Sequence, residues 1–109
     1  MAEITTIIGT LVARPEARDE LQRILAAQVE PTRAEPGCLN YDFHADAEEP
    51  NVFVFYENWR SQADLDEHMT QPHLQPLFDR QGDLLARPVE IRHLRMLSQP
   101  AMTQKGESQ

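Results

Sequence analysis

Val52-Phe53-Val54-Phe55-Tyr56-Glu57-Asn58-Trp59 is the strongest strand of this chain, rich in the β-branched and aromatic types that suit a pleated surface. It is apolar on both parities. Val52, Val54 and Tyr56 share one face, while Phe53, Phe55, Glu57 and Trp59 share the other. Such a pattern predicts a strand buried on two sides. Ser61-Gln62-Ala63-Asp64 follows at once and resembles a capping box, with aspartate in place of glutamate. The helix it opens sets Leu65, His68 and Met69 on one face. A helix bearing a histidine therefore returns over a strand that ends in a carboxylate and an indole.

Upstream, Glu35-Pro36-Gly37 reads as a turn, and residues 38–44 alternate Leu39, Tyr41 and Phe43 against Cys38, Asn40, Asp42 and His44. An acidic loop over residues 46–51 joins this strand to the next as a hairpin. Residues 4–13 form a first strand, apolar on both parities. Arg14-Pro15-Glu16 then starts a helix, because proline suits its first position and glutamate its positive end. Ala17, Leu21, Ile24, Leu25 and Gln28 make its buried stripe, and Pro31 bends or ends it.

Downstream, Pro72 and Pro76 break and restart the second helix, with Leu74, Leu77, Phe78 and Leu84 continuing its apolar side. A last strand runs from Val89 to Leu97. Residues 1–97 are read as a single domain, and residues 98–109 as a disordered tail without apolar periodicity.

The order β-α-β-β-α-β is that of a ferredoxin-like α+β fold: a split β-α-β, four-stranded antiparallel sheet with both helices on one face. The helices cover one side of a sheet whose first and third strands are apolar on two. The uncovered side needs a partner, and a second copy of the chain is the expected one. A homodimer follows.

The formal charge of −8 argues against nucleic-acid or anionic-membrane partners, both of which need a basic face. Cys38 is the single cysteine, so no internal disulfide forms, and a buried structural thiol is the expected reading. No apolar run approaches the ~20 residues of a membrane span, and the expected location is the cytoplasm. With four glycines and no glycine-rich loop, no nucleotide or flavin domain is expected.

Three motifs carry a family resemblance: Glu35-Pro36-Gly37-Cys38-Leu39-Asn40-Tyr41, Phe53-Val54-Phe55-Tyr56-Glu57-Asn58-Trp59, and His68 with Pro72-His73. Over residues 4–97 the chain resembles the antibiotic biosynthesis monooxygenase domain, a dimeric α+β barrel group that includes quinol monooxygenases. The resemblance implies oxygenation of a small aromatic or quinol-type substrate by dioxygen, without metal or bound cofactor. Haem-degrading relatives join a strand-end tryptophan and a helix histidine through an asparagine on the first strand. The tryptophan and histidine carry over to Trp59 and His68. The first strand here offers Thr5, Thr6 and Thr10 instead of asparagine, which argues against haem cleavage. The superfamily also holds isomerases, and a non-catalytic small-molecule binding module is a third reading.

Within that frame, His68 is the candidate base, since an unperturbed imidazole titrates at about 6.5. Trp59 is its catalytic companion and, with Phe55 and Phe78, a candidate wall for a flat ring, while Tyr41 reaches either this pocket as a substrate-binding residue or the dimer seam. Glu57 is either a site carboxylate or a hydrogen-bond partner of the second helix's amides. His73 is either a pocket residue or a cap. His68 and His73 do not share the i, i+4 face of a helical metal pair, and no carboxylate stands at ligand spacing, so no metal site is expected. Tyr56, opposite Trp59 in parity, is placed at the dimer seam.

Overall fold

The computed structural model describes residues 3–101. In chain order it contains β1 (Thr5–Val12), α1 (Arg18–Ala27), α2 (Val29–Arg33), β2 (Cys38–Ala45) and β3 (Val52–Trp59). There follow α3 (Gln62–His68), α4 (Gln75–Asp79), α5 (Gln81–Leu84) and β4 (Glu90–Leu94). Single 3₁₀ turns at Pro15–Ala17 and Pro72–Leu74 each begin at a proline. The strands form one antiparallel sheet in the order β2-β3-β1-β4, the ferredoxin-like α+β arrangement that the element order predicts.

Register decides which side chains meet the helices. Ile7 lies opposite Glu57, Gly9 opposite Phe55 and Leu11 opposite Phe53. Because side chains alternate along a strand, all of these share a face with Trp59. That face is closed by Leu21 and Leu25 of α1, Leu65 of α3, Leu77 of α4 and Leu84 of α5, all within one buried cluster.

α1 stops at Ala27, and α2 resumes at Val29. The bend expected from Pro31 falls three residues earlier, at Gln28, because proline has no N–H to offer the carbonyl four residues back. Pro31 itself sits in the first turn of α2, where its missing donor has no intrahelical partner to lose.

β1 and β3 were expected to be buried on both faces, the outer one by a second copy; within one chain the helix-facing side is covered, and on the outer side Thr6 and Asn58 are buried. Ile8, Val12 and Val54 are half-buried, and Tyr56 is exposed. Part of the open face is polar: Thr6 hydrogen-bonds Asn58, and Asn58 Nδ2 donates to Asn40 Oδ1 at 2.8 Å. The last strand was expected to span Val89 to Leu97, but β4 ends at Leu94. Its pairing runs out where Leu94 meets Thr6, near the start of β1, and Leu97 beyond it is 92% exposed. Of the tail expected over 98–109, residues 102–109 lie outside the described residues.

Candidate functional site

The site begins with a backbone contact that only glycine permits. A Cβ on Gly37 would stand 2.3 Å from the Cβ of Asp64. Asp64 in turn fastens the start of α3: its N–H donates to Ser61 Oγ at 3.2 Å, and its carboxylate accepts from Ser61 Oγ at 2.8 Å and from Arg60 Nε at 2.9 Å. The Arg60 N–H donates to the Gly37 carbonyl at 2.8 Å. The turn 35–37 is thereby clamped to the entry of the helix whose last residue is His68.

The clamp delivers Glu35 to the histidines. Glu35 Oε2 lies 2.7 Å from His68 Nδ1 and 3.1 Å from His73 Nε2. His73 Nε2 is also 3.1 Å from Thr32 Oγ1 on α2. The reading that no carboxylate stands at ligand spacing is therefore corrected. Glu35 is remote from both histidines in sequence but offers an oxygen that, with their nitrogens, falls within 4.8 Å. Two imidazoles and a carboxylate are a donor set that a transition metal accepts. The hydrogen bonds among them also account for the position of all three groups.

His68 is 3% exposed. Burial lowers its proton affinity below the ordinary imidazole value, outweighing the hydrogen bond and charge of Glu35, which act the other way. A neutral ring whose Nδ1–H points at Glu35 carries its lone pair on Nε2, and no partner for Nε2 is found among the described residues. The Trp59 ring packs on His68 with centroids 4.5 Å apart. Trp59 Nε1 donates to Glu57 Oε1 at 2.8 Å, so Glu57 does not serve the amides of the second helix as one reading held. Burial raises the Glu57 carboxyl to about 7, and the charge of Glu35 adds to the rise, whereas the Trp59 hydrogen bond opposes it. Tyr41 is buried, packs against Phe55 in a tilted pair with centroids 4.7 Å apart, and is held firmly protonated by desolvation and the Glu57 charge.

Between sheet and helices lies a cavity of about 240 Å³. Its polar lining is His68, Glu57, Tyr41, Gln28 and Gln81, and its apolar lining includes Ile7, Phe55, Leu74, Leu77, Phe78 and Ile91. Five of the seven candidate site residues border it: His68, Glu57, Phe55, Phe78 and Tyr41. Trp59 and His73 do not. Trp59, expected to face the ring, is fully buried behind Glu57 and His68, because its indole N–H turns to the carboxylate. His73 stands behind Glu35 rather than in the wall.

Residues 4–80 match the family model described as antibiotic biosynthesis monooxygenase. The chain belongs to this family. It is 37% identical over 99 residues to a Mycobacterium tuberculosis protein named "Putative monooxygenase Rv0793", covering 91% of this chain and 97% of that one. The solved structure of Rv0793 superposes with a TM-score of 0.83, over 89% of this chain. PA3566 from Pseudomonas aeruginosa superposes with a TM-score of 0.85 at 37% identity, covering 90% of this chain and 98% of that one. A protein of Synechocystis, sll1783, is 37% identical over 86 residues, spanning 79% of this chain but 58% of its own length.

Three residues of this family member's site escaped the sequence reading. Glu35 was read only as part of a turn, although it stands in the motif that carries the resemblance. Gln28 was placed on the apolar stripe of α1 without a reason for an amide there, and that mismatch was the available signal. Gly9, opposite Phe55, borders the cavity and leaves it open: a Cβ there would meet nothing within 4 Å.

Proposed function

We propose that the protein is a cofactor-independent monooxygenase acting on a small aromatic or quinol-type substrate bound in the cavity between sheet and helices. The observation that carries this reading is the Glu35–His68 pair at 2.7 Å, with His68 bordering a largely apolar cavity. Neutral His68 takes the substrate's hydroxyl proton on Nε2, and Glu35 stabilises the imidazolium that forms. The resulting electron-rich anion passes one electron to dioxygen, and the radical pair joins to form a carbon–oxygen bond. Loss of water leaves one oxygen atom on the substrate. The other departs with two hydrogens of the substrate, which also supplies both electrons, so no separate reductant is needed.

Tyr41, Phe55 and Phe78 flank the ring, and the aliphatic lining keeps water from the radical pair. Trp59 acts by fixing Glu57 and bracing His68, and His73 acts by holding Glu35. The half-covered face of β1 and β3 supports assembly as a homodimer.

One observation favours a second reading. A carboxyl held at about 7, like that of Glu57, both gives and takes protons at neutral pH, as an isomerase acid–base pair with His68 would require. Oxygen uptake separates the two. With 1,4-naphthoquinol as substrate, uptake above the autoxidation rate that survives exhaustive chelation and is lost in His68→Ala supports the monooxygenase. Turnover of substrate without uptake supports the isomerase. Binding without any turnover supports a carrier module.

A further inference from the structure

Gln28 closes α1 where the helix bends, and its side chain is 2% exposed at the cavity wall. Its amide has two ends. The Tyr41 hydroxyl donates to Oε1 at 3.3 Å. Nε2 has no hydrogen-bond partner, and it is the only such buried side-chain nitrogen or oxygen among the described residues. Buried polar atoms are nearly always paired, so a donor left over at the edge of a cavity points to an acceptor that arrives from outside.

The sense of the amide is set by Tyr41. Tyr41 stays protonated, so its hydroxyl has a proton to give. That proton goes to Gln28 Oε1. The NH₂ group is then the end left without a partner, in a residue of the cavity wall. The cavity's other polar groups, Glu57, His68 and Gln81, make no hydrogen bond to this nitrogen.

We infer that Gln28 is the anchor for a substrate oxygen: its NH₂ donates to a carbonyl or phenoxide oxygen on the bound ring. The cavity then selects oxygen-bearing aromatics over hydrocarbons of the same shape. This rests on the proposed aromatic occupancy of the cavity and adds a binding determinant to it. A site whose buried donor is met by the right ligand penalises any ligand that leaves it unmet.

The test is calorimetric titration of the full chain with 1,4-naphthoquinone and with naphthalene. A quinone has no proton to lose, so its binding does not depend on His68 acting as a base. The wild type should bind the quinone more tightly than the hydrocarbon. Gln28→Leu should weaken quinone binding about tenfold to a hundredfold and leave naphthalene unchanged. Gln28→Glu, which keeps an acceptor for Tyr41 and replaces the donor by an oxygen, should weaken it at least as much. Equal quinone affinity in wild type and both variants would show the amide satisfied by water and overturn the anchor. So would tighter binding by Gln28→Glu, or no binding of the quinone at all. If the quinone discriminates as expected but naphthoquinol is not oxygenated, the anchor stands and the monooxygenase reading falls. If naphthoquinol is oxygenated with the same KM by wild type and Gln28→Leu, the reverse holds.

Discussion

His68 Nδ1 and Glu35 Oε2 stand 2.7 Å apart, joining the end of α3 to a turn 33 residues earlier in the chain. The contact fixes which nitrogen of the ring bears the proton and so which one faces the cavity. Glu35→Gln keeps the size and an oxygen acceptor but removes the charge that balances an imidazolium. Turnover should fall by about two orders of magnitude or more, the usual worth of a positioned proton acceptor. KM should change little, because Glu35 does not border the cavity. Steady-state oxygen uptake, with circular dichroism to confirm folding, checks this. Undiminished kcat would reduce Glu35 to a structural role.

Glu57 makes a pH prediction with a definite sign. Its carboxyl rises from 4.5 to about 7 on folding. The folded state therefore holds a proton that the unfolded state has already released between those values. Stability from this group is fully present below pH 4.5 and is lost as pH rises through about 7. Glu57→Gln should relieve that loss, stabilising the protein by roughly 2–3 kcal/mol at pH 8 and by little at pH 4. His68 runs the other way. Its proton affinity is lowered, so its contribution is present above pH 6.5 and is lost as pH falls. Urea titrations at the two pH values decide the matter, and an equal effect of Glu57→Gln at both would mean the carboxyl is not raised.

The residues of the sheet were legible because strand burial is written in alternation. Phe53, Phe55, Glu57 and Trp59 all face the helices, as their shared parity requires. Ser61 caps α3 as its spacing with Asp64 predicts. The Glu35–His68–His73 cluster was not legible, because no periodicity links a turn to a helix end. It depends on Gly37 approaching Asp64 more closely than any side chain would allow. Trp59 was placed on the correct face but at the wrong depth. Parity says which side a side chain leaves the strand, whereas its final turn is set by a hydrogen bond, here to Glu57. Gly9 was hidden for a simpler reason: an absent side chain leaves no pattern.

The second face of the sheet gives a prediction about assembly. Ile8, Val12 and Val54 are half-buried there, and Tyr56 is 38% exposed. If two copies meet on this face, Tyr56→Glu sets like charges against each other or against apolar surface at its centre. Light scattering after gel filtration should then read one chain mass for the variant and two for the wild type. A wild type that elutes as a monomer, or a variant that remains dimeric, would place the contact elsewhere.

Gly9 offers the sharpest test of where the substrate sits. It lies in the middle of β1, opposite Phe55 on one side and Ile91 on the other, and borders the cavity. A Cβ there meets no atom within 4 Å. Gly9→Val therefore places its Cβ in open space and adds a residue that strands favour over glycine, for a gain of up to about 1 kcal/mol. Its two methyl groups would occupy space that a ring needs. The thermal midpoint should hold or rise while quinone binding and oxygen uptake fall by about tenfold or more, since overfilling a packed site costs 1–3 kcal/mol. A variant that loses both stability and binding would mean the strand itself was damaged, and Gly9→Ala would then serve as the milder probe of the same space. A stable Gly9→Val that binds quinone and turns over substrate as the wild type does would place the substrate away from the Gly9 wall and overturn this reading of where the ring sits.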